Sequence, residues 1–212
     1  MYQPKAHEET RVEVLHELIK DHSLGCIVTL GKNGLIVNHI PFLIDSDAEG
    51  KGTLKGHVAR ANPLWQDFSD SVESVIIFQG PQAYVSPSWY PTKHQTGKAV
   101  PTWNYAVVHV HGFPKVIEDP AWLLSLVTEL SNTHEATQKL PWKVSDAPKD
   151  FTDRMIEMIV GIEIPISKIE GKWKLSQNRP MGDRLGVAAG LESQQDASAR
   201  SVASLVMRSL HD

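Results

Sequence analysis

The links between the first strand-like segments of this chain are too short to be crossovers, and that constrains the fold more than any other feature. Residues 26–30, 35–44, 53–58 and 74–79 read as strands, joined by turn-rich links at 31–34, 45–52 and 59–73, the last broken by Asn62-Pro63. A parallel pair needs a connection of a dozen residues or more, usually a helix. The first three segments must therefore pair antiparallel, and the third link carries only a turn or short helix rather than a full crossover helix. Asn33-Gly34 is the strongest hairpin signal, because both central positions of a tight hairpin turn favour φ > 0. Pro41 cannot donate to a ladder, so it predicts an edge, bulge or bend within 35–44. The stretch 45–52 reads as a turn-rich link.

Helical patterns surround these strands. Residues 8–22 carry Val12, Leu15, Leu18 and Ile19 on one stripe. Asn62-Pro63 starts a turn or short helix through Phe68. Residues 103–112 alternate as a strand that continues through 115–117. Asp119-Pro120 then opens a helix, with an acceptor at the cap and proline at its first position. That helix carries Leu123, Leu124, Val127 and Leu130 on one face. Residues 134–149 read as loop, 150–160 as a second inserted helix, 162–166 and 172–176 as closing strands, and 183–211 as a helical tail. The fold class expected is mainly β with decorating helices (α+β), an antiparallel β-barrel. Residues 1–180 form the barrel domain with its N-terminal and inserted helices. Residues 181–212 form a helical extension packed on the barrel or a dimer.

Composition narrows the function classes. The 212 residues carry a formal net charge of −4, which gives no global basic field for nucleic acid. Cys26 is the single cysteine, so no intrachain disulfide forms and a reducing cytoplasm is expected. The opening MYQPKAHEET has neither a basic n-region nor an apolar h-region, so no signal peptide is expected. The apolar runs are too short to span a membrane. Neither GxGxxG nor GxxxxGK[ST] occurs, which removes the Rossmann fingerprint and the P-loop.

Several residue groups have chemistry to offer. Residues 78–105 hold Tyr84, Trp89, Tyr90, Trp103 and Tyr105 among Pro81, Pro87, Pro91 and Pro101. Prolines fix the path of such a segment, and aromatics can cover a flat ring at little entropic cost. His57, Arg60 and Asn62 lie where a strand gives way to a turn, a place for a phosphate or for an ordinary Asn-Pro cap. Lys172, Lys174 and Ser176 share a face by period two, with Gln177, Asn178 and Arg179 just beyond: an anion or polar-ring clamp, or a solvated strand face. His109 and His111 point the same way on a strand, but Lys115 and Val116 stand where a metal site would want a carboxylate, and no metal is expected. Ser86 and Ser88 lie beside prolines and outside any GxSxG elbow. Asn38, His39 and Pro41 can leave backbone polar groups free for a heteroaromatic edge, or form a bulge with no ligand.

GPQAYVSPSWY, VPTWNY and KLSQNR, behind the opening MYQP and the HVARANPLW run, closely resemble the PaiB family of FMN-binding negative transcriptional regulators of bacteria. The resemblance runs from Met1 to about Arg179, with His7 standing where an aromatic is usual. It implies an FMN-binding split β-barrel and a homodimer with the cofactor at its interface. It places the phosphate near His57, Ala59, Arg60 and Asn62, and the isoalloxazine along Val37, Asn38, His39 and Pro41. The second subunit contributes Thr102, Trp103 and Asn104 with Lys174, Gln177, Asn178 and Arg179. It implies a regulator or flavin-based sensor. The charge pattern gives DNA binding no support. The alternative is an FMN-dependent oxidoreductase, of the flavin reductase or pyridoxamine-phosphate-oxidase kind, with His39, His57, Tyr90 or Trp103 lining the pocket. A third reading places haem on the same barrel through His94, His109 or His111. No catalytic residue is assigned.

Overall fold

The computed structural model describes residues 1–46 and 51–210. In chain order the elements are β1 (Glu8–Glu9), α1 (Val12–Asp21), β2 (Leu24–Gly31), β3 (Gly34–Pro41), β4 (Leu43–Asp45), β5 (Thr53–Ala59), β6 (Ser74–Val85), α2 (Pro91–Thr96), β7 (Thr102–Gly112), β8 (Lys115–Ile117), α3 (Pro120–Glu135), α4 (Lys149–Glu157), β9 (Ile159–Pro165), β10 (Lys168–Lys174), α5 (Met181–Glu192) and α6 (Ala197–Arg208). Short 3-10 turns lie at Lys5–His7, Pro63–Gln66, Pro87–Trp89 and Val144–Asp146. Every strand pairing with a resolved register is antiparallel, and short links account for β2–β3 and β4–β5 among them.

The chain forms two compact units. One comprises residues 1–18, 79–109 and 170–212. Its strands run β1, β10, β7 and the C-terminal part of β6. Glu8 pairs with Lys172 and Glu9 with Gly171. A Cβ at Gly171 would lie 2.1 Å from Leu15, so this glycine lets α1 lie directly on β10. Helices α5 and α6 belong to the same unit and cover the aromatic segment. A Cβ at Gly186 would fall 2.0 Å from the Trp89 carbonyl oxygen, and one at Gly190 would fall 2.3 Å from the indole ring. Trp89 thus lies in a groove on α5, and Asp183 of the same helix accepts hydrogen bonds from Thr92 N (3.1 Å) and Thr92 Oγ1 (2.7 Å).

The other unit comprises residues 19–78 and 110–169. It holds the N-terminal part of β6 beside β2 and β3, and a four-stranded sheet in the order β4-β5-β9-β8. Leu43 of β4 packs with Leu126 and Leu130 of α3, with Trp122 against them. Phe42 and Phe78 meet edge to face at 6.1 Å.

Several boundaries differ from the pattern-based expectation. The first helix starts at Val12 because Glu8 and Glu9 pair with β10 and the Glu9 carboxylate accepts from Arg11 N at 2.9 Å. The hairpin is present, but its two loop residues are Lys32 and Asn33; Gly34, at φ +120°, already opens β3. The Asp67 carboxylate holds this loop by accepting from Lys32 N at 3.2 Å. The strand expected over 35–44 breaks after Pro41, and its second part joins the other sheet as β4. The same happens between β7 and β8. On α3 the buried stripe is Leu123, Leu126 and Leu130, with Leu124 exposed. Helix α4 yields to β9 at Ile159, and β10 ends at Lys174, so Ser176 stands off the strand. The tail is two helices joined at Asp196, whose carboxylate caps α6 through Ser198 N and Ala199 N. Positions 47–50 of the expected link, and His211 of the tail, lie outside the described residues.

Candidate functional site

The sequence-predicted residues fall into two groups, each built within one unit. The first occupies β3 and the end of β5. Asn62 caps the turn after β5 by accepting from Leu64 N at 3.0 Å, and its Nδ2 donates to Asn38 Oδ1 at 2.8 Å. That bond ties the turn to β3. Gly56 makes the approach feasible, since a Cβ there would lie 3.0 Å from both Ile40 and Phe42. His57 follows on β5. Its Nδ1 is buried with no hydrogen-bond partner among the described residues, and burial holds its pKa below the usual histidine range. The imidazole is therefore neutral near pH 7, with one nitrogen unsatisfied. Ala59 is exposed on the same strand face.

Arg60 is already engaged. Its Nε donates to Glu157 O (2.8 Å), Nη2 to Ile159 O (3.1 Å) and Nη1 to the Glu118 carboxylate (2.6 Å), while the guanidinium stands 5.9 Å from the Trp65 ring centre. The backbone N–H groups of Arg60, Asn62 and Leu64 are also used. The junction therefore presents fewer free donors than a bare strand-to-turn junction would. The Arg60–Glu118 pair is solvent-accessible, and exposed pairs of this kind exchange partners at little cost.

The four predicted positions on β3 divide between its faces. Val37, His39 and Pro41 point outward, and Asn38 points toward Asn62. Register pairs Leu30 with Leu35, Val28 with Val37, Cys26 with His39 and Leu24 with Pro41. The outer face of this edge hairpin is thus a nearly unbroken apolar strip, with Leu35 75% and Val37 55% exposed. A face of this kind in water normally meets a ligand or a partner.

The second group gathers where β10 ends beside the start of β7. Lys174 Nζ donates to Thr102 Oγ1 and, at 2.5 Å, to Trp103 O. Burial, then the charges of Lys172 and Arg179, hold its pKa below the usual lysine range. Asn104 and Ser176 are both buried and bond each other, Nδ2 to Oγ at 3.0 Å. Ser176 adopts φ +64°, the left-handed region that a non-glycine residue enters only when its surroundings hold it there. Gln177 braces the same turn: its amide oxygen accepts from Leu175 N (2.7 Å) and bonds His7 Nδ1 (3.0 Å), and its Nε2 donates to Trp173 O (2.6 Å). The Arg179 guanidinium stands 5.2 Å from the centre of the Tyr90 ring. Trp103, about half exposed, makes an edge contact with Tyr84 at 6.2 Å rather than joining this cluster. Asn178 is exposed at the cluster's rim.

Sequence reasoning treated Ser176 as the end of a strand face. Only its backbone conformation reveals it as the partner of Asn104. Tyr90 was grouped with the pocket aromatics, but nothing in the pattern showed that its hydroxyl would be buried. Around His109 and His111, no group of three or more His, Cys, Asp or Glu forms among the described residues.

The antiparallel sheets with peripheral helices define a mainly β flavoprotein fold, the split barrel expected from the sequence. The FAD and heme binding protein of Mycobacterium smegmatis shares it, with a TM-score of 0.58 and 11% identity over 79% of this chain and 73% of that one. The family model "Putative FMN-binding domain" matches residues 1–168. Protease synthase and sporulation protein PAI 2 of Bacillus subtilis is 32% identical over 97% of this chain and 96% of its own length. Uncharacterized protein AN0679 of Emericella nidulans is 34% identical over 97% and 96%. The chain belongs to the PaiB family of FMN-binding proteins, and membership assigns FMN as its cofactor. Its relatives include fungal as well as bacterial proteins. Among the described residues, no helix is long and apolar enough to cross a membrane.

Proposed function

We propose that this protein is an FMN-dependent sensor that acts as a negative transcriptional regulator, as a homodimer in the cytoplasm. The observation that carries the FMN part is the exposed apolar face of the β2–β3 hairpin, on a strand whose other face is tied to the turn after β5 by the Asn38–Asn62 bond, with the unsatisfied Nδ1 of His57 on β5. A flat apolar wall with a few polar groups at its edge suits an isoalloxazine ring. In this reading Val37, His39 and Pro41 lie along the ring, and Asn38 and His57 offer hydrogen bonds to its polar edge. Arg60 exchanges Glu118 for the phosphate, with Ala59 and Asn62 shaping the turn. Thr102, Trp103, Asn104, Lys174, Gln177, Asn178 and Arg179 come from the second subunit.

Bound FMN supplies hydride or single-electron chemistry. The protein's own part is to hold and orient the ring and exclude water from one face of it. The exposed Leu35 and the Tyr84–Trp103 pair support a second copy as partner. The regulatory arm is supported by kinship with a Bacillus protein named for protease synthesis and sporulation.

The test is a flavin titration on the purified chain, followed by promoter binding. FMN should bind with its fluorescence quenched, and Arg60→Ala should weaken it about tenfold or more with the fold intact. Unchanged affinity in Arg60→Ala would move the phosphate elsewhere. A salt-dependent shift of the protein's own promoter is expected, and no shift at low salt would remove direct repression. Bleaching of bound flavin by NAD(P)H would favour the oxidoreductase reading instead.

A further inference from the structure

We propose that the cavity between Tyr90, Thr102, Asn104, Lys174, Ser176 and Arg179 is a binding site for a phosphate-class oxyanion. The cavity measures about 120 Å³. Pockets for whole small molecules run to roughly 300–1,000 Å³, and a water takes about 30 Å³ of liquid volume. The space therefore fits a tetrahedral group and excludes a flavin ring.

Its lining has one sign of charge. Lys174 and Arg179 both face it, and no Asp or Glu contributes to it. Lys174 spends two of its three donors on neutral oxygens, Thr102 Oγ1 and Trp103 O, which leaves one N–H and the whole charge available. Arg179 makes no ion pair and no side-chain hydrogen bond among the described residues; only the Tyr90 ring lies against it. Lys172 stands nearby and disfavours the charge on Lys174. A bound anion would reverse that disfavour.

The hydroxyl of Tyr90 points to a ligand independently. Tyr90 is 1% exposed and lines the cavity; its buried hydroxyl makes no well-formed hydrogen bond among the described residues, and Ser176 interacts with it too weakly to offset the burial that raises its pKa. A buried polar group left unmade costs stability, and native proteins rarely tolerate one without a purpose. An anionic oxygen in the cavity would accept from this hydroxyl, from Lys174 and from the Arg179 fork together. The strained Ser176 backbone holds the floor of the site through Asn104.

The cofactor's own phosphate is assigned to Arg60, so the oxyanion bound here belongs to a separate phosphorylated ligand, and the site does not depend on the flavin reading. The test is isothermal titration of the full chain with inorganic phosphate, flavin-free and FMN-loaded, with thermal melts of each variant. Wild type should bind. Arg179→Ala and Lys174→Met should each lose about tenfold or more in affinity. Tyr90→Phe should weaken phosphate binding several-fold while its melting temperature without phosphate holds or rises, because the orphaned hydroxyl is gone; a purely structural tyrosine would show no such split. No displacement of phosphate by FMN or by riboflavin is expected; displacement by FMN but not by riboflavin would make the cavity the cofactor's own phosphate subsite and overturn a second ligand. No phosphate binding by wild type at millimolar concentration, or equal binding by Tyr90→Phe and Arg179→Ala, overturns the proposal. Flavin quenching in the same samples separates the two claims: flavin bound without phosphate overturns this site alone, and phosphate bound without flavin overturns the cofactor assignment of the hairpin face.

Discussion

The Trp89 indole fills the space that a side chain at Gly190 would need, with 2.3 Å between its Cδ2 and the position of a Cβ there. Gly186, one turn earlier on α5, is as close to the Trp89 carbonyl. Gly182, another turn back, has nothing within 4 Å of its Cβ position. Three glycines with one spacing on one helix therefore have different reasons to be there. Gly186→Ala should destabilise by about 1–3 kcal/mol, the range for overpacking, because backbone cannot move aside. Gly182→Ala should be neutral or stabilise by up to about 1 kcal/mol from helix propensity. Urea denaturation of both variants checks this; equal effects would mean that α5 does not sit on Trp89.

Asn62 does two jobs with one side chain. It caps the turn at Leu64 and donates to Asn38. Asn62→Ala should cost about 1–2 kcal/mol, and Asn62→Asp should keep the cap while losing the donor to Asn38. A double-mutant cycle with Asn38→Ala reads the shared bond as a coupling energy, expected between Asn62 and Asn38 and absent between Asn62 and His39.

Burial depresses the pKa of His57 in the folded chain. The unfolded chain takes up this proton near pH 6.5, and the folded chain only at lower pH. Stability is thus fully present above about pH 6.5 and declines as pH falls toward the folded pKa. The His57 ring signal should titrate below the usual histidine range by NMR, and His57→Gln should flatten that part of the stability profile. A ring that titrates at the unfolded value would mean that its Nδ1 is wet.

Glu9 works on the acid side. Burial raises its pKa, but the side-chain and backbone hydrogen bonds from Arg11, with its charge, overcome this and leave it below the usual carboxylate range. The unfolded chain therefore binds this proton first as pH drops. The stabilisation is present above the unfolded pKa, about 4.3, and is lost as pH falls through the folded value. Glu9→Gln should lower the denaturation midpoint at pH 7 and reduce its loss between pH 5 and 3.

Much of this architecture was legible in the sequence because its signals are local. The Asp119-Pro120 start of α3 and the hairpin before β3 follow from the φ angles and donors of single residues. The hairpin loop still slipped by one residue, because the Asp67 carboxylate, distant in sequence, holds the Lys32 amide. The strand over 35–44 was sound in pattern, but which sheet each half joins depends on partners that no window contains. The candidate residues divide in the same way. Asn38 and Asn62 each looked polar and available, and their bond to one another is visible only in three dimensions. Arg60 looked free, and its partners Glu118, Glu157 and Ile159 lie far along the chain.

By itself, the sequence determined the antiparallel pairing of neighbouring strands, the caps at Asn62 and Asp119 and the family, since short links, proline, asparagine and aspartate act within a few residues of themselves. Only the tertiary structure decided that the aromatic segment is covered by α5, that Ser176 is held in a left-handed conformation against Asn104, and that, among the described residues, a buried tyrosine hydroxyl makes no well-formed hydrogen bond beside two cations without an ion pair. Those outcomes depend on burial and on contacts between distant residues, and such contacts set the cost of a polar group only after the chain has closed around it.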